Sequence, residues 1–302
     1  MILRRVWDSD LAWSFRRSPV TVAAAALTLI CVGAAVFAPW LAPQDPFDMA
    51  ALDLNDAFTP PGWDVKGLAR YPLGTDNQGR DILSTIMHGA RISLGVGLAS
   101  VLFALLLGVS LGLISGYFGG RIDAVIMRVA DVQLSFPAIL IALLIDGVAR
   151  VALPSERHDE IAIPVLVLAI GFAGWVQYAR AVRGSTMVEK GKEYVQAARV
   201  IGRHPLAIML SHVLPNVMGP VLVIATIHIA TAIITEATLS FLGVGVPATR
   251  PSLGTLIRVG NEFLYSGEWW ITLFPGLALV ILVLSVNLLG DWLRDALNPK
   301  LR

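Results

Sequence analysis

Cysteine is almost absent from this chain. The single Cys31 among 302 residues excludes an internal disulfide and any metal site built from several cysteines. It lies in an apolar run, where a free cysteine packs as a small hydrophobe. Charge is scarce too: 15% of residues are Asp, Glu, Lys or Arg, where a soluble domain carries about 25%. The net charge is only +1 and no Lys/Arg run is dense, so a nucleic-acid partner is not expected. Chemistry-bearing motifs are missing as well. There is no Gly-x4-Gly-Lys-Ser/Thr phosphate loop, so the chain itself is not expected to bind ATP. A His-Glu-x2-His zinc pair and a Gly-x-Ser-x-Gly nucleophile turn are also lacking. No catalytic residue, metal or resident cofactor is therefore expected.

What is abundant is apolar chain. Hydrophobic residues make up 56% and the mean hydropathy is +0.70, which marks an all-α polytopic membrane protein. Six stretches reach spanning length, approximately residues 20–41, 92–117, 125–148, 161–182, 217–242 and 270–289. The first is too long for a signal-peptide core and no clean cleavage site follows it, so it reads as an uncleaved anchor. Arg4, Arg5, Arg16 and Arg17 precede it, and Arg180, Arg183, Lys190, Lys192, Arg199 and Arg203 flank the fourth loop. The loop after the first span is acidic instead, with Asp45, Asp48, Asp53, Asp56, Asp64, Asp76 and Asp81. The positive-inside rule then puts both termini and the fourth loop in the cytoplasm, and the acidic loop outside.

That fourth loop is a polar island, residues 193–215. It carries two short amphipathic patterns, Tyr194, Ala197, Ala198, Ile201 and then Leu206, Met209, Leu210, Val213. Gly202 ends the first and Pro205 opens the second. Helices this short are not stable alone in water. Their stripes must dock, either into a partner's groove or onto the chain's own bundle.

The segment resembles the coupling loop of bacterial ABC importer permeases. Gln196-Ala197-Ala198, Gly202 and His212-Val213-Leu214-Pro215 stand at the spacing of the motif Glu-Ala-Ala, three residues, Gly, nine residues, Ile-x-Leu-Pro. Gln replaces Glu and His replaces Ile. Further stretches are similar to the C-type permease subunit of peptide importers: Leu73–Asp81, Gly89-Ala90-Arg91-Ile92-Ser93, Thr235–Gly243 and Asn287–Asp295. The resemblance implies a type I ABC importer permease with six transmembrane helices, in a bacterial inner membrane. It implies a homologous second permease, two cytoplasmic ATPases that bind ATP and Mg, and an extracytoplasmic substrate-binding protein as partners. Glu193, Tyr194, Gln196, Ala197, Ala198, Gly202, Leu206, His212, Leu214 and Pro215 would form the ATPase-coupling surface. The expected organisation is a cytoplasmic tail at 1–19, the first span with its outer loop at 20–91, and a core at 92–302. Within the core, the coupling loop covers about 184–216. Di- or oligopeptides are the best guess for cargo, with nickel, glutathione or opines as alternatives in the same branch. An ion-coupled secondary transporter is the rival class, but it would want paired intramembrane charges and an internal repeat, neither evident here.

Several residues stand out for their place in the spans. Gly108, Gly112 and Gly116 recur every fourth residue, a spacing that lets helix backbones approach inside lipid. Polar groups at depth are few and usually face protein or water. Asp131, His228, Thr231, Thr235, Glu236 and Asn287 are the candidates for the translocation pathway or its gate. Thr231, Thr235 and Glu236 read as one face of the fifth span. The plainer readings are an ion pair of Asp131 with Arg128, one turn away, and a packing role for His228. Pro137, Pro220 and Pro275 remove backbone donors inside spans and either kink them or shape the bundle. Residues 79–91 read equally as a short surface helix or as extra turns of the second span.

Overall fold

A computed structural model describes residues 10–48, 52–152, 154 and 158–296. Arg4 and Arg5, used above for orientation, and the last six residues of the chain lie outside the described residues. A short helix α1 (Asp10–Arg17) leads into α2 (Pro19–Val36), the first span. Ser18 starts α2 by accepting the N–H of Thr21 at 3.3 Å, with Pro19 in its first turn. A single further turn, α3 (Ala38–Leu41), completes the stretch.

The long helix α4 (Ile82–Phe118) is capped by Asp81, whose carboxylate accepts the Ser84 N–H at 2.8 Å. It therefore begins ten residues before Ile92, and residues 82–91 are the outer turns of the span rather than a separate surface helix. Gly119 and Gly120, both at positive φ, turn the chain into α5 (Gly120–Leu134). The third span is not the single helix that its apolar run suggests. Instead α5 and α6 (Ala138–Ala152) meet at a 94° bend over residues 135–137, where Pro137 has no N–H to continue the ladder. Among the described residues, five helices are thus long and apolar enough to cross a membrane, and six spans result when the bent pair counts as one.

The fourth span is α7 (His158–Glu189), followed by α8 (Glu193–Val200) and α9 (Pro205–Ile208). Residues Met209–Val213 wind as a π-helix and run without a break into α10 (Leu214–Phe241). A short outer helix α11 (Leu253–Phe263) precedes the last span, α12 (Trp270–Ala296). Pro220 and Pro275 are accommodated inside continuous helices.

Helices α4 and α7 form the central pair. Half of the most apolar stretch of each is buried within the chain, against 17% for α2, which sits at the edge on α12 and α4. The glycine stripe explains the pairing. A Cβ on Gly108 would meet Tyr178, one on Gly112 would sit 2.6 Å from the Ala179 carbonyl oxygen, and one on Gly116 would sit 2.7 Å from Cβ of Thr186. All three small residues therefore face a helix of the same chain. Beside this pair Arg183 of α7 holds Asp123 of α5, with Ser115 of α4 donating to the same carboxylate.

Candidate functional site

The coupling segment sits at one end of the bundle and has two opposed apolar faces. Val195, Ala198, Ile208, Met209 and Val213 are buried in a core with Val109, Leu113, Tyr117, Tyr178 and Val182 from the spans. The opposite side is open: Val200 is 88% exposed, Ile201 84%, Leu210 59% and Leu206 54%, with Ala197 also on the surface. Docking onto the bundle and presenting an outer face are not alternatives here, because the segment does both. The expected stripes need correcting. Tyr194, Ala197 and Ile201 do not share the buried face with Ala198; Val195 takes that place. The second pattern is likewise split, Met209 and Val213 inward and Leu206 and Leu210 outward. Nor do two separate helices lie back to back, since the second merges with α10 through the π-turn.

Gly202 makes the corner. Its φ of +80° suits a residue without Cβ, and no heavy atom lies within 4 Å of where a Cβ would stand. The corner is followed by His204, whose Nδ1 accepts the Leu206 N–H at 3.3 Å as α9 begins.

Polar contacts tie this corner to the spans. The Tyr194 hydroxyl donates to Glu189 at the end of α7 and accepts from Asn216 Nδ2 of α10 at 3.0 Å. Burial first, and the bond to Glu189 second, push the Tyr194 hydroxyl up to about 12. The Tyr194 ring stacks on His212, with centroids 6.3 Å apart and planes 20° from parallel. His212 Nε2 accepts from Arg203 at 3.3 Å while Nδ1 lies 2.6 Å from Ser211 Oγ. Gln196 donates from Nε2 to the Lys190 carbonyl at 3.0 Å, a bond that a carboxylate at this position would lack the hydrogen to make. Of the two departures from the general motif, His212 contacts Arg203 and Tyr194 within the segment, while Gln196 ties it to the chain just after α7. On the far side, Arg199 lies over the Tyr117 ring at 4.7 Å and Lys190 Nζ donates to the Gly116 carbonyl at 2.7 Å. Sequence reasoning missed Glu189, Val195, Val200 and Asn216 as parts of this site. The only available signal was their nearness to the motif.

The polar residues of the spans do not converge. Asp131 is exposed and pairs with Arg180 of α7 at 2.6 Å, not with Arg128. His228 is buried and bonds through Nδ1 to the Tyr178 hydroxyl at 3.0 Å, its ring lying where a side chain on Gly174 would be. Thr231 and Thr235 lie towards the surface and bond back to the carbonyls of Ile227 and Thr231 at 3.2 and 2.8 Å. Glu236 does not share their face. It points instead into the protein, 0% exposed, because one position along a helix turns the side chain by about 100°. There its Oε1 accepts from Ser240 at 2.7 Å, the hydroxyls of Ser93 and Ser252 lie beside it, and Oε2 has no geometric hydrogen-bond partner among the described residues. The carboxylate thus stands where α4, α10 and the cap of α11 meet. Asn287, half-buried on α12, is one turn from Gly290, which packs on Thr226 of α10. Ten residues of helix separate Thr226 from Glu236, about 15 Å.

The loop before α4 is ordered around the stretch Leu73–Asp81. Asp76 and Arg80 form a buried ion pair at 2.6 Å, and Asp76 also accepts the N–H groups of Gln78 and Arg80. Gly74, at φ +82°, leaves room for Trp270, whose indole N–H donates to the Thr75 carbonyl at 3.0 Å. The loop is thereby pinned to the starts of α4 and α12, at the end of the bundle opposite the coupling segment.

Against known families, residues 108–302 match the model described as the binding-protein-dependent transport system inner membrane component. The chain belongs to that family. Residues 6–61 of the permease also match the N-terminal TM domain of oligopeptide transport permease C. It is 38% identical to the di/tripeptide transport system permease protein of Pseudomonas aeruginosa, over 99% of this chain and 93% of that one. It is 37% identical to the glutathione transport system permease protein of Pectobacterium atrosepticum, over 95% and 89%. Among solved structures, a chain of the MetNI methionine ABC transporter in inward-facing conformations aligns with a TM-score of 0.54 at 22% identity, covering 71% of the permease and 96% of that chain. This last likeness places the permease in the same all-α importer fold.

Proposed function

We propose that this permease forms half of the translocation pathway of an ATP-driven importer for short peptides, with residues 193–215 seated in a groove of a cytoplasmic ATPase. The observation that carries the reading is the exposed ledge of Val200, Ile201, Leu206 and Leu210 around the Gly202 corner, backed by a buried face on the same segment. Free in water, such a ledge leaves large apolar side chains uncovered at a polar end of the bundle. In a partner's groove it would bury them, and movement of the partner would be transmitted through Tyr194 and Asn216 to α7 and α10. The assembly we envisage contains a second permease, two ATPases with ATP and Mg, and a binding protein that delivers cargo to the loop over α4 and α12. Both termini would face the cytoplasm. Peptide relatives, and a glutathione relative whose cargo is itself a tripeptide, favour short peptides over nickel or opines.

The test is co-purification from the native membrane with mass spectrometry of the bound chains. Recovery of two ATPases and a second permease is expected. A permease recovered alone or only with itself would overturn the importer reading and favour an ion-coupled transporter.

A further inference from the structure

The end of the bundle opposite the coupling segment contains a cavity of about 420 Å³ that the transport reading does not use. Its walls come from four parts of the chain: the outer end of the first span (Ala38, Pro39), the start of the loop that follows it (Gln44, Asp45, Phe47), the outer turns of α4 (His88, Arg91, Ile92) and the loop before α11 (Arg250). Packing forces these parts together. Gly89 has no side chain to hold α4 away from that loop, and a Cβ there would stand 3.3 Å from both the Pro251 carbonyl and the Leu253 N–H. Ser93 then accepts the Leu253 N–H at 3.3 Å. The consequence is that Arg91 and Arg250 line one cavity, and neither forms an ion pair among the described residues.

One carboxylate also lines the cavity, that of Asp45, and it accepts the Phe47 N–H at 3.0 Å. His88 also lines the cavity; its Nδ1 bonds to the Ser84 carbonyl at 3.0 Å and its ring meets Phe47 edge-on. Two guanidinium groups against one carboxylate leave the cavity electropositive, and a planar donor fork matches phosphate oxygens.

Depth decides the occupant. Arg91 lies in the outer turns of α4, one residue before the approximate start of its long apolar run, and Trp40 and Leu41, 78% and 59% exposed, stand at the outer end of the first span beside the same cavity. Aromatic and aliphatic side chains exposed at a span's end lie at the headgroup boundary of a bilayer. Ala38, Pro39 and Ile92 give the cavity an apolar lining beside the arginines. We infer that the cavity holds the phosphate headgroup of an anionic phospholipid, its acyl chains running along the apolar outer faces of α2 and α4. Binding a lipid there would tether the edge helix α2 and the loop before α11 to the central helix α4.

The experiment uses the full chain, or the importer complex that co-purifies with it, in nanodiscs containing phosphatidylglycerol or phosphatidylcholine, read by native mass spectrometry of retained lipid. Phosphatidylglycerol should be retained and phosphatidylcholine should not. Each of Arg91→Gln and Arg250→Gln should lower retention about fivefold, the effect of one basic residue near an anionic surface, while Arg91→Lys should keep most of it. Asp45→Asn should raise retention, a gain that misfolding would not produce. Equal retention of both lipids, or no loss in either glutamine variant, would overturn the proposal. Displacement of the lipid by millimolar inorganic phosphate would also overturn it, by identifying the occupant as a soluble anion.

Discussion

Arg183 grips Asp123 with two hydrogen bonds, 2.5 Å from Nε and 2.7 Å from Nη2, and so clamps the last turns of α7 to the first turn of α5. The pair is partly shielded, and charged hydrogen bonds of this kind contribute about 1.5–3 kcal/mol when one partner is removed. Asp123→Asn should lower the thermal unfolding midpoint of the purified permease. Arg183→Gln on the same background should add little more, because its partner is already lost. Fully additive losses in this double-mutant cycle would show that the two groups act independently.

The glycine stripe offers a test with an internal control. A methyl group at Gly112 has to displace the Ala179 carbonyl and the Val182 side chain, an overpacking that costs about 1–3 kcal/mol. Gly95, on the same helix, has nothing within 4 Å of where a Cβ would stand. Gly112→Ala should therefore destabilise the permease to heat in detergent and Gly95→Ala should not. Equal effects of the two would mean that the close approach of α4 and α7 is not what the stripe provides.

The coupling segment lets docking be separated from folding. Val195 is buried and Val200 is almost wholly exposed, five residues away on the same short helix. Val195→Asp buries a lone charge and should cost at least about 3 kcal/mol of stability. Val200→Asp and Ile201→Arg should leave unfolding unchanged but reduce recovery of the ATPase and peptide uptake at least tenfold. Normal uptake by both surface variants would remove the ledge from the coupling mechanism.

How far these features are legible in the sequence depends on whether the deciding partner is local. The spans follow from long apolar runs, and the Gly202 corner from a glycine between two short patterns, each a property of neighbouring residues. The glycine stripe announces a close helix contact, though not that the contact is with residues 175–186 of the same chain. Helical spacing pairs Asp131 with Arg128, three residues away, yet it bonds to Arg180, 49 residues away, because the packing of α5 on α7 overrides the helical neighbour. The face of α8 escapes periodicity for a similar reason. Alanine and valine occupy both of its sides, so spacing alone does not distinguish the side that meets Tyr117 and Tyr178 from the side left open. The bend at Pro137 is visible as a proline, whereas its 94° angle depends on how α5 and α6 each lie against α7.

Glu236 is where charge and shape make different predictions. The carboxylate is fully enclosed, forms no ion pair among the described residues, and meets hydroxyl groups from α4, α10 and the α11 cap. If its work is to join these three elements, an amide of the same size serves as well: Oε1 still accepts from Ser240, and the new N–H groups can donate to the hydroxyls of Ser93 and Ser252. Glu236→Gln should then fold and take up peptide at near the normal rate. Glu236→Ala would leave the Ser240 O–H without its acceptor in a cavity, although Ser240 Oγ still accepts the Val246 N–H, a loss of about 1–3 kcal/mol from the hydrogen bond alone. It should unfold at lower temperature and loosen α11, seen as faster amide exchange over residues 253–263. A glutamine variant that folds normally yet does not transport would show the reverse, that the negative charge itself acts in the transport cycle and that Glu236 is more than a brace.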